Sequence, residues 1–288
     1  MSDNKILLIH LGGLGDVCLS ESIFNSLRKH FGNRLVGLGN RRFLELFSEY
    51  FASVESIESR KWLYLFSEKL TGPGWAKVIF IGKDRETRLR SRWQGHSEEE
   101  IMFIDMYPEG AFGARMIETN GQKMHIEDYE LTQLRSYGIE PLKKKPVPSI
   151  SSRVILYPEK GFTKEKWNPG NFLALYALLE AEGVDVTVLE SIDLKLNAGR
   201  KVFLQDLKEI QRFFAQGGIF VSNDSGMAHL AGASGLFTVT IFSGFDPAIW
   251  HPRGDNLVLR SEASGLPAHV VEKTVREILF RLHESGTW

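Results

Sequence analysis

The sequence predicts two doubly wound α/β domains with parallel sheets, and three observations carry that prediction. Short, near-continuous apolar runs alternate with segments of helical periodicity along most of the chain, the pattern of strands covered on both faces. The alternation runs twice, and Pro141–Pro148 (PLKKKPVP), held extended by three prolines and solvated by three lysines, stands between the two series as the linker. Two of the apolar runs end in small-residue turns that lead straight into a helix, and sites in such sheets lie at the carboxyl ends of strands. The expected domains are residues 1–145 and 146–288, with the last helix free to pack back on the first domain.

In the first series, Lys5–Leu11 (KILLIHL) reads as a strand, ending in Gly12–Gly13–Leu14–Gly15–Asp16. Val17–Phe31 then reads as a helix with Leu19, Ile23 and Leu27 on one stripe. The loop lacks the G-x-G-x-x-G spacing of a dinucleotide fingerprint. A strand over Arg34–Leu38, a helix around Arg42–Tyr50 and a short strand over Ser53–Ile57 follow. Trp62, Leu63, Phe66 and Leu70 form a helical stripe, and Lys77–Ile81 is the next strand. Ile101–Met106 fits strand or loop equally, and Ile126–Tyr137 reads as a helix.

The second series restarts with a strand over Arg153–Tyr157, a loop over Gly161–Gly170 and a helix over Asn171–Glu182. Strands are expected at Val184–Leu189 and Val202–Leu204, with a helix at Leu207–Ala215. Ile219–Gly235 (IFVSNDSGMAHLAGASG) is the stretch around which the rest is organised. Ile219–Val221 reads as a buried strand, Ser222–Gly226 as a polar turn and Met227–Ala233 as a helix. Such a junction offers unpaired N–H groups and the positive end of a helix dipole, which suits a phosphate. Gly226 admits a ligand close to the backbone, Asp224 can accept from hydroxyls, and His229 lies about one turn into the helix. An ordinary capped helix with a core histidine explains the same residues. A strand at Phe237–Phe242, another at Leu257–Leu259 and a helix over Val270–His283 close the chain.

Composition excludes several classes. Of the 288 residues, 43% are hydrophobic and 25% charged, as in soluble globular proteins, and a net charge of −1 argues against a dedicated nucleic-acid binder. Cys18 is the only cysteine, which rules out an internal disulfide or a cysteine-based metal site, and its apolar helical face reads as core. No apolar run reaches a membrane span, and no secretory signal precedes the first strand, so a cytoplasmic protein is expected. Lys83, Arg85, Arg88, Arg90 and Arg92 form a basic run, either a solvated face or a patch for an anionic acceptor.

Three motifs in order, ILLIHLGGLGDVCLS, KWNPGNF and VSNDSGMAHLAGASG with FSGFDPAIWHP after it, resemble glycosyltransferase family 9, which includes the lipopolysaccharide heptosyltransferases. The resemblance runs from Lys5 to about Pro252. It implies the GT-B architecture of two facing Rossmann-like domains, the first on the acceptor side and the second holding the nucleotide-sugar donor. It further implies inverting transfer of a sugar, heptose from ADP-heptose, to an envelope glycan such as lipopolysaccharide core. No metal and no other cofactor is implied, and a peripheral seat at the inner membrane is compatible with it.

Carried over by residue, the resemblance makes Asp16 the general base toward the acceptor hydroxyl, with Gly12 and Gly13 leaving room for the sugar. The N–H groups of Ser225, Gly226 and Met227 would hold the leaving diphosphate across the cleft. Asp224 and His229 fall on donor-contacting positions, and Tyr157, Pro158 and Glu159 on a strand-end loop facing the donor. Where members often carry Lys-Arg-Trp-Pro, this chain has Glu165–Lys166–Trp167–Asn168, so the phosphate-contacting lysine would be Lys164 or Lys166. His10 stands where members usually have arginine, and Glu190–Val202 is shorter than the acidic nucleoside-binding helix of relatives. A non-catalytic GT-B protein that binds a nucleotide sugar, and a nucleotide-sugar epimerase, remain open as alternatives.

Overall fold

The structure, a computed structural model, describes residues 4–67, 74–83, 89, 91, 101–107, 118–119, 122–149, 151–158, 167–191, 196–197, 199–260, 268–284 and 286. The chain divides into two compact units, Met1–Lys144 and Lys145–Trp288.

The first unit is built on five parallel strands, β1 (Ile6–His10), β2 (Leu35–Gly39), β3 (Ser53–Ser56), β4 (Lys77–Gly82) and β5 (Ile101–Asp105). Their order is β3-β2-β1-β4-β5. The chain therefore winds outward in both directions from β1, and the order reverses between β1 and β4, where such sheets bind ligands. Every residue of β1 is buried, as its unbroken apolar run requires. Leu7, Ile9, Val36, Leu38 and Phe80 pack on one side with Trp62 and Leu65.

The long helix expected over Val17–Phe31 is two helices, α1 (Leu14–Leu19) and α2 (Glu21–Phe31). The break falls at Ser20, whose hydroxyl is fully buried and committed to side chains of other elements. The segment around Arg42–Tyr50 is likewise split, into α3 (Arg41–Leu44) and a 3-10 helix, Glu45–Tyr50, kinked at Phe47. The Trp62–Phe66 stripe is also a 3-10 helix, Arg60–Phe66. With three residues per turn, Trp62 and Leu65 share its buried side, and Leu63 is 66% exposed. Leu70 lies outside the described residues. Helix α4 (Ile126–Ser136) forms as expected, and Glu118–Thr119 (β6) pairs with Gln122–Lys123 (β7) as a small antiparallel ribbon.

The second unit holds six parallel strands: β8 (Val154–Tyr157), β9 (Val186–Glu190), β10 (Lys201–Phe203), β11 (Ile219–Asn223), β12 (Phe237–Phe242) and β13 (Asn256–Arg260). Their order is β10-β9-β8-β11-β12-β13, with the reversal between β8 and β11. Strand β11 runs two residues further than its apolar stretch. Parallel pairing with β12 continues through Ser222 and Asn223, so backbone bonding rather than side-chain polarity sets where it ends. Helices α5 (Pro169–Ala181), α6 (Leu207–Phe214), α7 (Gly226–Ala233), α8 (Pro247–Trp250) and α9 (Ala268–Glu284) complete the unit. Val271, Ile278 and Leu282 of α9 lie in this unit's own core with Phe172, Leu175 and Leu179 of α5.

The linker is largely exposed, as its prolines and lysines predict, yet parts of its backbone are bonded to the units on either side. Leu142 and Lys144 donate their backbone N–H groups to the Ser26 and Ser22 hydroxyls of α2, both at 2.8 Å. On the other side of the division, Ser149 donates to Gly235 at 2.9 Å. Each half of the stretch is strapped to its own unit, because its backbone groups find partners there.

Candidate active site

In the first unit the residues of interest gather where β1 meets α1. Gly12 donates its N–H to His10 Nδ1 at 3.2 Å. That ring nitrogen is therefore the unprotonated one, and Nε2–H faces Ser20 Oγ at 3.2 Å. The Ser20 hydroxyl in turn donates to Glu130 Oε1 of α4 at 3.0 Å. His10, Ser20 and Glu130 are all fully buried. Burial holds the His10 ring neutral, its pKa lowered to about 4. This chain, from strand to helix to helix, fixes the glycine loop from beneath.

Asp16 lies in the first turn of α1, and its Oδ2 accepts the Gly13 N–H at 2.8 Å. The carboxylate is thus a helix cap and remains partly open to a ligand. Its pKa is raised, chiefly by burial, against the lowering effects of hydrogen bonds from the Tyr107 hydroxyl and the Gly13 N–H. The helix N-terminus alone would favour the ionised form, and here burial outweighs it. A Cβ at Gly12 would sit 2.6 Å from Asp16 Cβ and 2.8 Å from both Asp16 Oδ2 and the His10 ring. The space that Gly12 leaves is already taken by these two side chains. Among the described residues only Asp16 Oδ2, at 3.8 Å, lies within 4 Å of where a Cβ at Gly13 would stand, so the loop is more open there.

Tyr107 went unremarked in the sequence, although its place at the carboxyl end of β5 is where such a residue belongs. Its phenol donates to Asp16, and burial together with the Asp16 and Glu130 charges pushes its own ionisation well above the ordinary tyrosine range. Of the basic run that begins at Lys83, the residues from Asp84 to Arg92 other than Leu89 and Ser91 lie outside the described residues.

In the second unit the corresponding place is the carboxyl end of β11. Asp224 donates its N–H to Ile241 of β12 at 2.9 Å, and Ser225 caps α7 through its backbone only. Among the described residues, the N–H groups of Ser225, Gly226 and Met227 have no hydrogen-bond partner, three successive donors at one helix N-terminus. Two side-chain atoms beside them are also buried without a partner, Ser225 Oγ and His229 Nδ1. His229 Nε2 is 3.8 Å from Asp224 Oδ1. This contact is not an ion pair at neutral pH: burial, with His251 adding to it, lowers His229 to about 4, while burial raises Asp224 to about 7. The end of β11 is mostly buried, weakly charged and rich in donors, which is suited to an anion.

Asn223 explains how the loop before α5 is held here. Its side-chain Oδ1 accepts the Trp167 N–H at 3.1 Å and its amide donates to the Trp167 carbonyl at 3.4 Å. Trp167 itself is buried against Phe172. Lys164, Glu165 and Lys166 immediately precede it and, with Glu159, lie outside the described residues. Tyr157 ends β8 opposite Ser222 of β11, and its ring packs on Phe220. Asp246 has a structural task, since Oδ1 caps α8 at Ala248 and meets Arg260 at 2.9 Å. Glu190, the last residue of β9, is matched by Lys201 of β10 at 3.5 Å. Among the described residues no three His, Cys, Asp or Glu side chains gather as a metal site would need.

Residues 143–277 match the family model of glycosyltransferase family 9 (heptosyltransferase). No curated protein matches the sequence. Among solved structures, the E. coli heptosyltransferase WaaC with ADP shares 16% identity at a TM-score of 0.68, with 95% of this chain and 99% of that one covered. WaaC with ADP-2-deoxy-2-fluoro heptose gives 15% and 0.66 over the same shares, 95% and 99%. The E. coli ADP-heptose lps heptosyltransferase II gives 14% and 0.66 over 98% and 99%. At these identities the likeness is one of fold, the GT-B fold of heptosyltransferases. The chain thus carries a match to the family 9 model over residues 143–277 and the fold of the heptosyltransferases along nearly its whole length.

Proposed function

We propose that this protein transfers heptose from ADP-heptose to a hydroxyl of a bacterial envelope glycan, with inversion and without a metal ion. The observation that carries the reading is the row of three unpartnered N–H groups at Ser225–Met227, beside buried polar atoms, within a family 9 domain. Such preorganised donors hold a diphosphate in the ground state and stabilise the charge that builds on it as the sugar leaves. WaaC has been captured with ADP and with an ADP-heptose analogue, which supports the choice of donor. In the proposed step the acceptor oxygen bonds to the anomeric carbon while the bond to the diphosphate breaks on the opposite face. The acceptor proton passes to Asp16, and the leaving ADP keeps the electron pair of the broken bond. A metal is unnecessary in this scheme because the N–H groups, the helix dipole and Lys164 or Lys166 carry the neutralisation. Other members of the proposed donor site are Gly13, Tyr157, Asp224 and His229, whereas the room expected at Gly12 is filled by Asp16 and His10. The acceptor is a glycan or glycolipid, anionic if the basic run beginning at Lys83 meets it.

The deciding experiment is turnover of ADP-heptose in the presence of a deacylated lipopolysaccharide core, with and without EDTA. ADP release and a glycosylated product at equal rates in both arms are the expected result. Loss of activity in EDTA with recovery in magnesium would overturn metal independence. Tight binding of ADP-heptose with no turnover on any acceptor would instead favour a non-catalytic nucleotide-sugar binder, the reading that Glu165 in the place of a family lysine suggests.

A pH dependence of donor affinity follows from Asp224. Its carboxyl is raised to about 7 by burial, and His229 and His251 are the titratable groups near it and its neighbour. A bound diphosphate adds negative charge beside it, so the protonated form is favoured in the complex. Affinity for ADP-heptose is therefore expected to hold steady below pH 7 and to weaken as pH rises through it, by up to about tenfold per pH unit. The nucleotide sugar itself has no phosphate that titrates in this window. Calorimetric titration from pH 6 to 8.5 checks the trend, and Asp224→Asn should flatten it. A native affinity constant across that range would show that Asp224 does not sense the donor.

A further inference from the structure

We propose that Tyr107 is the positioning residue for Asp16: fixed at the carboxyl end of β5, its phenol clamps the carboxylate so that its remaining lone pairs face the acceptor hydroxyl. This inference rests on the reading of Asp16 as the base.

The argument begins with the turn that carries Tyr107. Asp105 ends β5, and its Oδ1 accepts the Tyr107 N–H at 2.9 Å. Gln133 of α4 then clasps the backbone of Asp105 from both sides. Its Oε1 accepts the Asp105 N–H at 2.8 Å, and its amide donates to the Asp105 carbonyl at 2.9 Å. Met106, between them, is fully buried. The turn is therefore held by one helix, one strand end and one core side chain, and Tyr107 leaves it in a set direction.

That direction leads to Asp16, whose carboxylate the phenol meets as donor. A carboxylate offers about four acceptor positions. Gly13 takes one of them on Oδ2 and Tyr107 another. The two bonds come from different elements, a loop before α1 and a turn after β5, so together they fix both the position and the rotation of the group. Asp16 Oδ2 lies 3.8 Å from where a Cβ at Gly13 would stand, the side from which the proposed acceptor would reach the unused positions. The titratable groups around Asp16 are Tyr107 itself, His10 on the other side of Gly12, and Glu130 behind Tyr107. None is a cation: His10 is neutral, and Glu130 and the phenol bring no positive charge. Tyr107 is thus the side chain that favours the ionised form of Asp16, and a base must be ionised to accept a proton.

The test is Tyr107→Phe, with selective carbon-13 labelling of aspartate carboxyls and Asp16→Asn to assign the resonance. In the variant the Asp16 carboxyl should titrate at higher pH than in the native chain. The acid limb of ADP-heptose turnover should move with it, so that the variant loses about tenfold more rate on the acid side than on the alkaline side. Donor affinity should be unchanged. A merely structural tyrosine would lower the rate equally at all pH values and leave the Asp16 titration where it was, and that result overturns the proposal. A raised titration with an unmoved acid limb removes Asp16 as the base, and the catalytic role of Tyr107 falls with it. Should Tyr107→Phe fail to fold, Gln133→Met, which loosens the turn and keeps the phenol, is expected to shift the titration in the same direction. No shift in a folded Gln133→Met chain then counts against the clamp.

Discussion

Gly226→Val should leave the protein folded and lower its affinity for ADP by at least about 10²-fold. Gly226 is the first residue of α7, and its N–H and that of Met227 have no partner among the described residues. A hydrogen bond to a charged group contributes about 1.5–3 kcal/mol, so losing two at the lower figure corresponds to about 10² in Kd. The branched side chain would stand over the helix N-terminus and keep a diphosphate from approaching the donors. The fold is expected to tolerate it, because the first helical turn accepts most residues and Gly226 is not in a left-handed conformation. Calorimetric titration with ADP, alongside a thermal melt, reads both quantities. Unchanged affinity in a variant with the native melt would move the phosphate site elsewhere.

The parts of this fold that the sequence makes legible are those where one physical preference acts alone. The β1 run is apolar on both faces and could only be a covered strand. The turn at Asp224–Gly226 has small polar residues between a strand and a helix, and its unpaired donors follow from helix geometry rather than from packing. Illegible features arise where two preferences compete. Ser20 sits in a good helical pattern, but its hydroxyl is drawn into a buried chain between His10 and Glu130, 10 and 110 residues away, and the helix breaks there. Ser222 and Asn223 look like turn residues, yet backbone pairing to β12 holds them in the strand. Tyr107 was hidden by a different ambiguity. Ile101–Met106 is too short to separate strand from loop by periodicity, and only a strand there puts Tyr107 at a sheet's carboxyl end. The raised pKa of Asp16 was also unreadable, since it depends on how deeply the loop is covered and not on its position in the helix.

Asp16→Asn is expected to keep the fold and the donor affinity and to lose at least about 10²-fold in turnover, the lower bound of what a general base contributes. Asparagine has the same size, and its carbonyl oxygen can still accept from Gly13 and from Tyr107, so the cap and the clamp survive in outline. What it cannot do is take a proton from the acceptor hydroxyl. Donor affinity should hold because the proposed diphosphate contacts belong to the second unit. A second readout separates a catalytic carboxylate from a structural one. Burial raises the Asp16 pKa, so the native state binds a proton more tightly than the unfolded chain does. Between the ordinary aspartate value, about 3.9, and the raised one, stability therefore falls as pH rises, and the loss is complete above both. At pH 8 the ionised group is a net burden on the fold, and Asp16→Asn should melt at a higher temperature than the native chain. Near pH 3 the two should melt alike. A residue that lowers stability and raises turnover is retained for chemistry. Native-like transfer by Asp16→Asn, or a lower melting temperature at pH 8, would leave Asp16 as a cap and require another base.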